Sequence, residues 1–370
     1  MQQVGTGRRV NVGSRVKRGG SHYDAGAAGS ARAQAGNGKG KKVLMMGGTR
    51  FIGVYLARML VQDGHEVHLC TRGKAPIASQ IPDDSDAFYQ SYQQSIHHVQ
   101  ADRTDSDAVS AAVSGQGFDV VFDLNGRESS DAQIVIDALP NLEQYIFCSS
   151  AGVYLKSDVL PHKEEDSVDE SSRHKGKLDT EQLLRQRSIP FTSVRPVYIY
   201  GPLNYNPVEE WFFDRIEHDR PVPVPGSGLQ ITSLGHVKDL ACGFRASMSN
   251  PNAINQVYNI TGERYVTFDG LVRACAQAMG KPEPEIVHYD PKAVDLGKSK
   301  AFPLRNQHFF ASIDKAKAQL NWEPAFDLVA GLAESYQKDF KGKGKDQRSS
   351  DFTVDDVILD AVKAPAAAAA

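Results

Sequence analysis

The sequence predicts an α/β protein, with a doubly wound parallel sheet and a smaller C-terminal α/β lobe. Three observations lead to this prediction. Short apolar segments alternate with segments of helical periodicity from residue 42 to residue 194. A glycine-rich turn lies between the first strand-like and the first helix-like segment. The chain of 370 residues is 41% hydrophobic, enough for one large core or two unequal ones.

The predicted elements of the first domain follow in order along the chain. Strands are predicted at residues 42–46, 66–70, 96–100, 119–123, 145–148 and 191–194. Helices are predicted at residues 51–62, 105–114 and 130–139, and a fourth includes the stretch RHKGKLDTE at 173–181. This βαβ succession predicts a mostly parallel sheet with helices on both faces.

After residue 200 the alternation becomes looser. The stretch PVPVPGSG at 221–228 predicts an extended connector, and helices are predicted at 267–279, 312–320 and 328–340. We therefore predict a dinucleotide-binding domain at 42–200 and a substrate-type lobe at 201–340, partly interleaved with the sheet. Residues 341–370, which include KGKGKDQRSS and APAAAAA, predict a disordered tail.

Composition indicates an ordinary soluble protein. No apolar run approaches the length that spans a bilayer. The cysteines are far apart and form no CxxC pair, so free thiols in a reducing compartment are expected for Cys70, Cys148, Cys242 and Cys275.

The charge is distributed unevenly along the chain. Residues 1–42 contain nine of the 42 Lys and Arg but only one of the 45 Asp and Glu, which leaves 33 basic and 44 acidic residues in the remainder. A segment rich in Arg, Gly, Ala and Ser and poor in acids is typical of an organelle transit peptide, which we predict for residues 1–41. The alternative is a basic tail that stays attached and contacts nucleic acid.

The glycine-rich turn has the position of a phosphate-binding loop in a Rossmann-type domain. Its candidate cofactor-binding residues are Gly47, Gly48, Thr49, Arg50, Phe51, Ile52 and Gly53. The glycines allow a sharp turn, and the N-terminus of the following helix stabilises a pyrophosphate. Arg50 stands where such loops usually have glycine, so it either adds a cation beside the phosphates, obstructs them, or packs at the sheet edge.

The end of the second strand predicts the choice of cofactor. Thr71, Arg72 and Lys74 follow it, and the acid that usually binds the ribose of NAD is absent, so NADP is favoured if a cofactor binds. Asp102, after the third strand, is expected either at the adenine amino group or in a surface turn.

Several stretches together resemble a known superfamily. GGTRFIG, FDVVFDLNG, YIFCSSAGVY, GKLDTE, FTSVRPVYIYGP and GHVKDLA occur in the order found in extended and atypical short-chain dehydrogenases/reductases, the NAD-dependent epimerases and dehydratases. The resemblance implies a catalytic Ser at Ser150 and a Lys at Lys177 that also holds the nicotinamide ribose. The position of the family's catalytic Tyr is occupied here by Arg173, which cannot act as a general base because it stays protonated. His174 is offset from that position.

A more specific resemblance covers most of the chain. The strings CSSAGVYLKSD, RPVYIYGPLNYNPVEEWFFDR and AFPLRNQHFFASIDKAK are similar to those of the chloroplast stem-loop binding proteins. The resemblance implies a chloroplast protein that binds and cleaves plastid RNA stem-loops, uses a divalent metal such as Mg²⁺, and takes part in ribosomal RNA maturation with ribosomal particles. An oligomer, either of one chain or with a paralogue, is expected by analogy.

Basic residues could form a rim at the carboxyl edge of the sheet, or be scattered surface charges. The candidates for RNA binding are Arg50, Arg72, Lys74, Arg127, Arg173, His174 and Lys175. Asp102 and Asp123 are predicted to end adjacent strands and so are candidates for a catalytic carboxylate pair, although adenine contact and strand capping are the alternatives. No metal ligand can be assigned from the sequence.

Two other functions remain open from the sequence. One is an active NADP-dependent sugar-nucleotide epimerase or oxidoreductase, and Arg173 in the tyrosine position counts against it. The other is a non-catalytic NADP-sensing scaffold associated with the ribosome.

Overall fold

The computed structural model describes residues 40–363, so almost all of the predicted transit peptide lies outside the described residues. The strands are β1 (Lys42–Met46), β2 (Glu66–Thr71), β3 (Ile96–Gln100), β4 (Val120–Asp123), β5 (Gln144–Cys148), β6 (Phe191–Pro196), β7 (Tyr198–Tyr200), β8 (Val222–Pro225), β9 (Ile231–Thr232), β10 (Leu234–His236), β11 (Gln256–Ile260), β12 (Val266–Thr267) and β13 (Ile286–Tyr289). The helices are α1 (Ile52–Gln62), α2 (Asp86–Ser95), α3 (Ser106–Val113), α4 (Ser129–Ala138), α5 (Lys175–Gln186), α6 (Val208–Glu217), α7 (Val237–Ser247), α8 (Phe268–Met279), α9 (Asp314–Leu320), α10 (Leu328–Ser335) and α11 (Thr353–Lys363).

Seven parallel strands form the main sheet, in the order β11-β6-β5-β4-β1-β2-β3. The strand order reverses at β1 and β4, and in open α/β sheets ligands bind at such a point, beyond the carboxyl ends of the strands. Two apolar cores cover the two faces. Leu56 of α1 and Phe244 of α7 pack on one face, and Val109 of α3 and Val135 of α4 on the other. The predicted doubly wound sheet is therefore confirmed.

The second lobe has its own core, in which α6, α8 and α10 pack together. The PVPVPGSG stretch, predicted as a connector, instead contains β8, which pairs in parallel with β13. Its prolines are tolerated because the pair has only two strands, so each strand has an unpaired edge. The chain then returns to the first domain, because β11 joins the main sheet beside β6 and α7 packs against α1.

The prediction of a disordered tail from residue 341 was wrong as far as Lys363. A π-helical turn, Tyr336–Lys341, extends α10, and α11 follows after a short 3-10 turn. Ile358 and Leu359 of α11 are buried, and the buried carboxylate of Asp355 pairs with Arg215 of α6 at 2.7 Å. The charged sequence before α11 hid a helix whose apolar side docks on the second lobe. Residues 364–370 lie outside the described part of the chain.

Candidate functional site

The turn between β1 and α1 has the geometry of a phosphate-binding loop. Gly47 and Gly48 have φ of 101° and 104°, in the left-handed region that favours glycine. A Cβ on Gly48 would lie 2.7 Å from the side chain of Leu69, and a Cβ on Gly53 would lie 2.4 Å from Cα of Gly48. The first turn of α1 can therefore approach the loop backbone only because both positions are glycine.

The same turn has donors available for an anion. Among the described residues, the N–H groups of Thr49 and Arg50 donate no hydrogen bond, and the guanidinium of Arg50 is exposed without a partner. Phe51 has an unusual positive φ of 46°, and its buried ring contacts the exposed ring of Tyr205 edge-on, with centroids 6.2 Å apart. The loop thus fits a dinucleotide pyrophosphate, and the exposed Arg50 does not pack at the sheet edge.

The predicted ribose-binding end of β2 is open to solvent. Arg72 and Lys74 are exposed, whereas the hydroxyl of Thr71 is already engaged by His98 at 2.9 Å and by the N–H of Gly73 at 3.2 Å. The pKa of Asp102 is lowered first by the hydrogen bonds it accepts from Thr104, and then by Arg72 and Lys74. Strands β2 and β3 are neighbours in the sheet, so these two cations and Asp102 follow adjacent strands.

The prediction that Asp102 and Asp123 end adjacent strands was wrong. Strands β3 and β4 are separated by β2 and β1, because the order in the sheet differs from the order along the chain. Asp123 is fully buried and accepts both guanidinium nitrogens of Arg103, at 2.8 and 2.9 Å, and the hydroxyl of Tyr145 at 2.7 Å. Burial opposes ionisation of Asp123, but Arg103 outweighs it and holds the pKa at about 2. This carboxylate stabilises the fold and has no oxygen left for a metal ion.

The RHKGKLDTE stretch begins in a turn and becomes helical only at Lys175. Arg173 and His174 precede α5, with His174 at the N-cap position, which corrects the prediction that both are helical. Lys177 does face the crevice, where its ammonium donates to the carbonyl oxygens of Gly126 and Cys148 at 2.5 and 2.6 Å. A third ammonium proton is left for a ribose hydroxyl.

Ser150, the predicted catalytic serine, lies directly after β5. Its hydroxyl oxygen accepts the N–H of Gly152 at 3.0 Å, and the carbonyl of Gly152 in turn accepts the hydroxyl of Ser172 at 2.8 Å. The structure thus brings the Ser150 segment against Ser172, which precedes α5.

His174 cannot take over the role of the missing tyrosine. The Nε of Arg173 donates to the Nε2 of His174 at 3.1 Å, so the lone pair of that nitrogen is engaged. Burial, followed by the charges of Arg173, Arg305 and Lys177, lowers the pKa of His174 to about 4. The imidazole is therefore neutral and a weak base at neutral pH.

The two tyrosines near this position are also poor bases. The hydroxyl of Tyr154 donates to Asn259 at 2.7 Å, and burial raises its pKa to about 12. Tyr198 accepts the N–H of Arg305 at 2.9 Å, and burial raises its pKa as well. Neither group can remove a proton from a substrate hydroxyl at neutral pH.

A cationic cleft of about 470 Å³ opens beside these residues. Its charged lining residues are four cations and one acid, namely Lys156, Arg173, Lys300, Arg305 and Asp169. Arg305 is half-buried, and its guanidinium reaches the carbonyl of Gly152 at 3.5 Å and lies over the ring of Phe309. Sequence reasoning missed Arg305, Lys156 and Lys300, although Arg305 lies within AFPLRNQHFF and Lys156 within CSSAGVYLKSD, two strings that carry the family resemblance.

The other predicted RNA-binding residues follow successive strands of the sheet. Arg127 follows β4, Arg50 follows β1, and Arg72 and Lys74 follow β2, and all four side chains are exposed. Strands β4, β1 and β2 are neighbours in the sheet, and β5, which leads to the cleft, lies beyond β4. At ~4.8 Å between neighbouring strands, the row of cations from β5 to β2 covers roughly 14 Å. Lys175 differs, because it is paired with Asp179 at 2.5 Å on the outer surface of α5.

Fold and site together define an α/β protein with a dinucleotide-binding type of fold, in which Arg173 stands in the position of the family's tyrosine base. The chain belongs to the NAD dependent epimerase/dehydratase family, whose model matches residues 43–261. Within it, the chain belongs with the chloroplast stem-loop binding proteins. It is 60% identical over 319 residues to the chloroplast stem-loop binding protein of 41 kDa b of Arabidopsis thaliana, covering 86% of this chain and 84% of that protein. That relative is chloroplastic, and this chain is assigned to the chloroplast as predicted.

Solved structures with this fold are more distant in sequence. An epimerase from Methanothermobacter thermautotrophicus has a TM-score of 0.65 at 20% identity, covering 84% of this chain and 95% of its own. A UDP-glucuronic acid 4-epimerase from Bacillus cereus, solved with UDP-glucuronic acid and NAD, has a TM-score of 0.62 at 21% identity, covering 80% and 98%. These likenesses show the fold alone. No helix of residues 40–363 is long and apolar enough to cross a membrane.

Proposed function

We propose that the protein binds stem-loop RNA in the chloroplast, with the RNA phosphates seated along the carboxyl edge of the main sheet. The observation that carries this proposal is the cleft with four cations and a single acid. Phosphate neutralisation by Lys and Arg supplies most of the affinity of a protein for RNA. The chain after residue 42 is acidic overall, so phosphates can be neutralised only where cations are clustered. Such clusters lie in the cleft and along the neighbouring strand ends.

The name of the Arabidopsis relative supports this proposal, because that protein is a stem-loop binding protein and the identity extends over most of both chains. Arg305 and Arg173 are the residues on which we expect binding to depend most. Both have guanidinium groups, which suit phosphate oxygens through two parallel hydrogen bonds. Lys175 is not expected to contribute, since Asp179 already neutralises it.

The proposed cofactor is NADP, held by Gly47 to Gly53, by Arg72 and Lys74 beside the ribose, and by Lys177. When bound, it would supply a redox-active nicotinamide, but an NADP-dependent epimerase or oxidoreductase also needs a proton acceptor. Arg173, His174, Tyr154 and Tyr198 do not supply one. We therefore favour NADP as a ligand that is bound in the crevice without being oxidised or reduced. The NADP-sensing scaffold is then the alternative to an RNA-cleaving enzyme.

Cleavage of the bound RNA and a role in ribosomal RNA maturation with ribosomal particles are finer predictions, which follow from the family resemblance. If Mg²⁺ assists cleavage, Asp102 and Asp123 do not hold it as a pair, because they follow strands that are not neighbours and both oxygens of Asp123 are engaged. Asp169 is the carboxylate among the cleft-lining residues, where it accepts the N–H and hydroxyl of Ser171 through one oxygen and keeps the other available. Mg²⁺ is commonly held by one or two carboxylates together with substrate phosphates, where it neutralises developing charge.

The experiment that tests RNA binding is a titration of the full chain against a labelled stem-loop RNA over a salt series. We expect affinity to fall steeply with salt, and Arg173→Gln to weaken binding several-fold and reduce the salt slope by about one. Lys175→Gln is the matched control, because it removes the same charge two residues away and should leave binding unchanged. Affinity that does not depend on salt, or equal effects of both variants, would contradict the proposal.

Cleavage is tested separately with the same RNA, with and without Mg²⁺. Asp169→Asn should abolish Mg²⁺-dependent cleavage and leave RNA binding intact. Binding with no cleavage by the unchanged protein would favour the scaffold. Oxidation of NADPH, followed at 340 nm with candidate sugar nucleotides and lost in Ser150→Ala, would instead support the oxidoreductase.

A further inference from the structure

We propose that Glu66, His68 and His97 form a binding site for Zn²⁺, far along the strands from the crevice. Glu66 and His68 lie on β2 and His97 lies on the neighbouring β3. One ligand atom from each of the three side chains lies within 4.8 Å of the others. The site is near the amino ends of the strands, whereas the crevice and the cationic cleft are at their carboxyl ends.

The strand register places the three side chains on one face of the sheet. Glu66 and His68 are two residues apart on β2, so they point the same way, and His68 is the direct neighbour of His97 in the parallel pair. The two imidazole rings are stacked with centroids 4.6 Å apart, and Nε2 of His68 is 2.7 Å from the carboxylate of Glu66. The ligands therefore converge before any ion binds, on the rigid backbone of the sheet.

The surroundings leave room for an ion. Glu66 and His97 are exposed and His68 is half-buried, because β3 is the edge strand of the sheet. The ring of Phe118 packs edge-on against His68 at 5.0 Å and supports it from the inner side. An ion bound by the three side chains on this exposed surface would keep at least one coordination position for water.

The ligand chemistry selects the metal. Two imidazole nitrogens and one carboxylate oxygen are a ligand set found in zinc sites with an open position, whereas Mg²⁺ and Ca²⁺ take mainly oxygen ligands. This site is therefore separate from any Mg²⁺ used for RNA cleavage.

One neighbour competes with the metal. Lys42 pairs with Glu66 at 3.2 Å and must give up that contact, but its ammonium also lies 5.3 Å from the centre of the Phe118 ring and keeps a partner there. A bound ion would tie the edge strand β3 to β2 and raise the stability of the folded chain, by an amount that grows with the logarithm of the Zn²⁺ concentration above the dissociation constant.

The test is a titration of the full chain with Zn²⁺ against a chromophoric chelator, with the melting temperature measured in parallel. His97→Gln should weaken Zn²⁺ binding at least about tenfold and abolish the zinc-dependent rise in melting temperature. The matched control is His98→Gln, since His98 is also exposed on β3 but lies on the opposite face, against Thr71 at 2.9 Å. Co²⁺ provides a second readout, because its visible spectrum changes when imidazole ligands bind it.

We expect one Zn²⁺ per chain in the unchanged protein and in His98→Gln, and loss of that ion in His97→Gln. Failure of the unchanged protein to bind Zn²⁺ above the level of His97→Gln would overturn the proposal, as would equal losses in the two histidine variants. His97 is exposed, so its replacement is not expected to disturb folding. The zinc titration does not involve RNA, so its outcome is independent of the proposed function.

Discussion

The guanidinium of Arg305 reaches the carbonyl oxygen of Gly152 at 3.5 Å, although the two residues are 153 positions apart in the chain. The imidazole of His174 lies over the same glycine, and a Cβ on Gly152 would be 2.5 Å from it and 2.9 Å from Arg305. This close approach joins the second-lobe segment that contains Lys300 and Arg305 to the residues of the first domain that line the cleft.

The first prediction concerns Arg305. We expect Arg305→Gln to weaken stem-loop RNA binding by about tenfold and to reduce the salt slope by about one, because a phosphate partner is removed. Filter binding over a salt series measures both quantities. Arg273→Gln is the control, since Arg273 is exposed on α8 and paired with Glu283 at 2.7 Å. A similar loss in Arg273→Gln would show that only net charge matters.

The second prediction concerns cofactor choice. Replacing both Arg72 and Lys74 by alanine should reduce NADP affinity about tenfold or more, since charged hydrogen bonds to the 2′-phosphate are lost. NAD affinity should change little, because NAD has no phosphate at that position. Calorimetric titration with each nucleotide measures the ratio of affinities. An equal fall for NAD and NADP would mean that the two cations do not face the ribose.

The third prediction concerns the buried pair of Asp123 and Arg103. The folded pKa of Asp123, about 2, is below its ordinary value of 3.8, so the carboxylate stabilises the fold above pH 4 and this stabilisation is lost as pH falls from 4 to 2. The loss amounts to about 2 kcal/mol. Urea unfolding at a series of pH values should show this loss of stability between pH 4 and pH 2. The Asp123→Asn variant should be less stable at neutral pH, but its stability should not show the same loss between pH 4 and pH 2. An unchanged slope in the variant would refute the assignment.

The fourth prediction concerns the C-terminal helix α11. Asp355→Ala should lower the free energy of unfolding by about 3 kcal/mol, because Arg215 would keep a buried charge without its partner. Asp356→Ala is the control, since the neighbouring Asp356 is exposed and its pair with Arg220 should contribute under about 1 kcal/mol. Chemical denaturation measures both variants. Equal stability of the two would mean that α11 does not dock as described.

Local patterns predicted the main sheet well. The six predicted strands of the first domain end within about two residues of their observed bounds, because buried parallel strands are short apolar runs that end in polar turns. The phosphate loop was equally visible, since its glycines are required by backbone geometry at Gly48 and Gly53.

Features that depend on distant parts of the chain could not be predicted in this way. The prediction that Asp102 and Asp123 form a pair was wrong because strands β3 and β4, consecutive in the chain, are not neighbours in this sheet. Arg305 was missed because its partner, Gly152, lies 153 residues earlier. The docking of α11 was missed because its buried pair with Arg215 joins residues that are 140 positions apart. No local pattern of charge or hydrophobicity records such contacts.

The insertion of β11 beside β6 has a consequence for synthesis of the protein. A ribosome must pass through β8 and α7 before it makes the strand that completes the main sheet. Until then the nascent chain exposes the edge of β6, with unpaired N–H and C=O groups that can join other chains. A fragment ending near residue 200 would keep that open edge permanently, so the dinucleotide-binding half should aggregate when expressed alone.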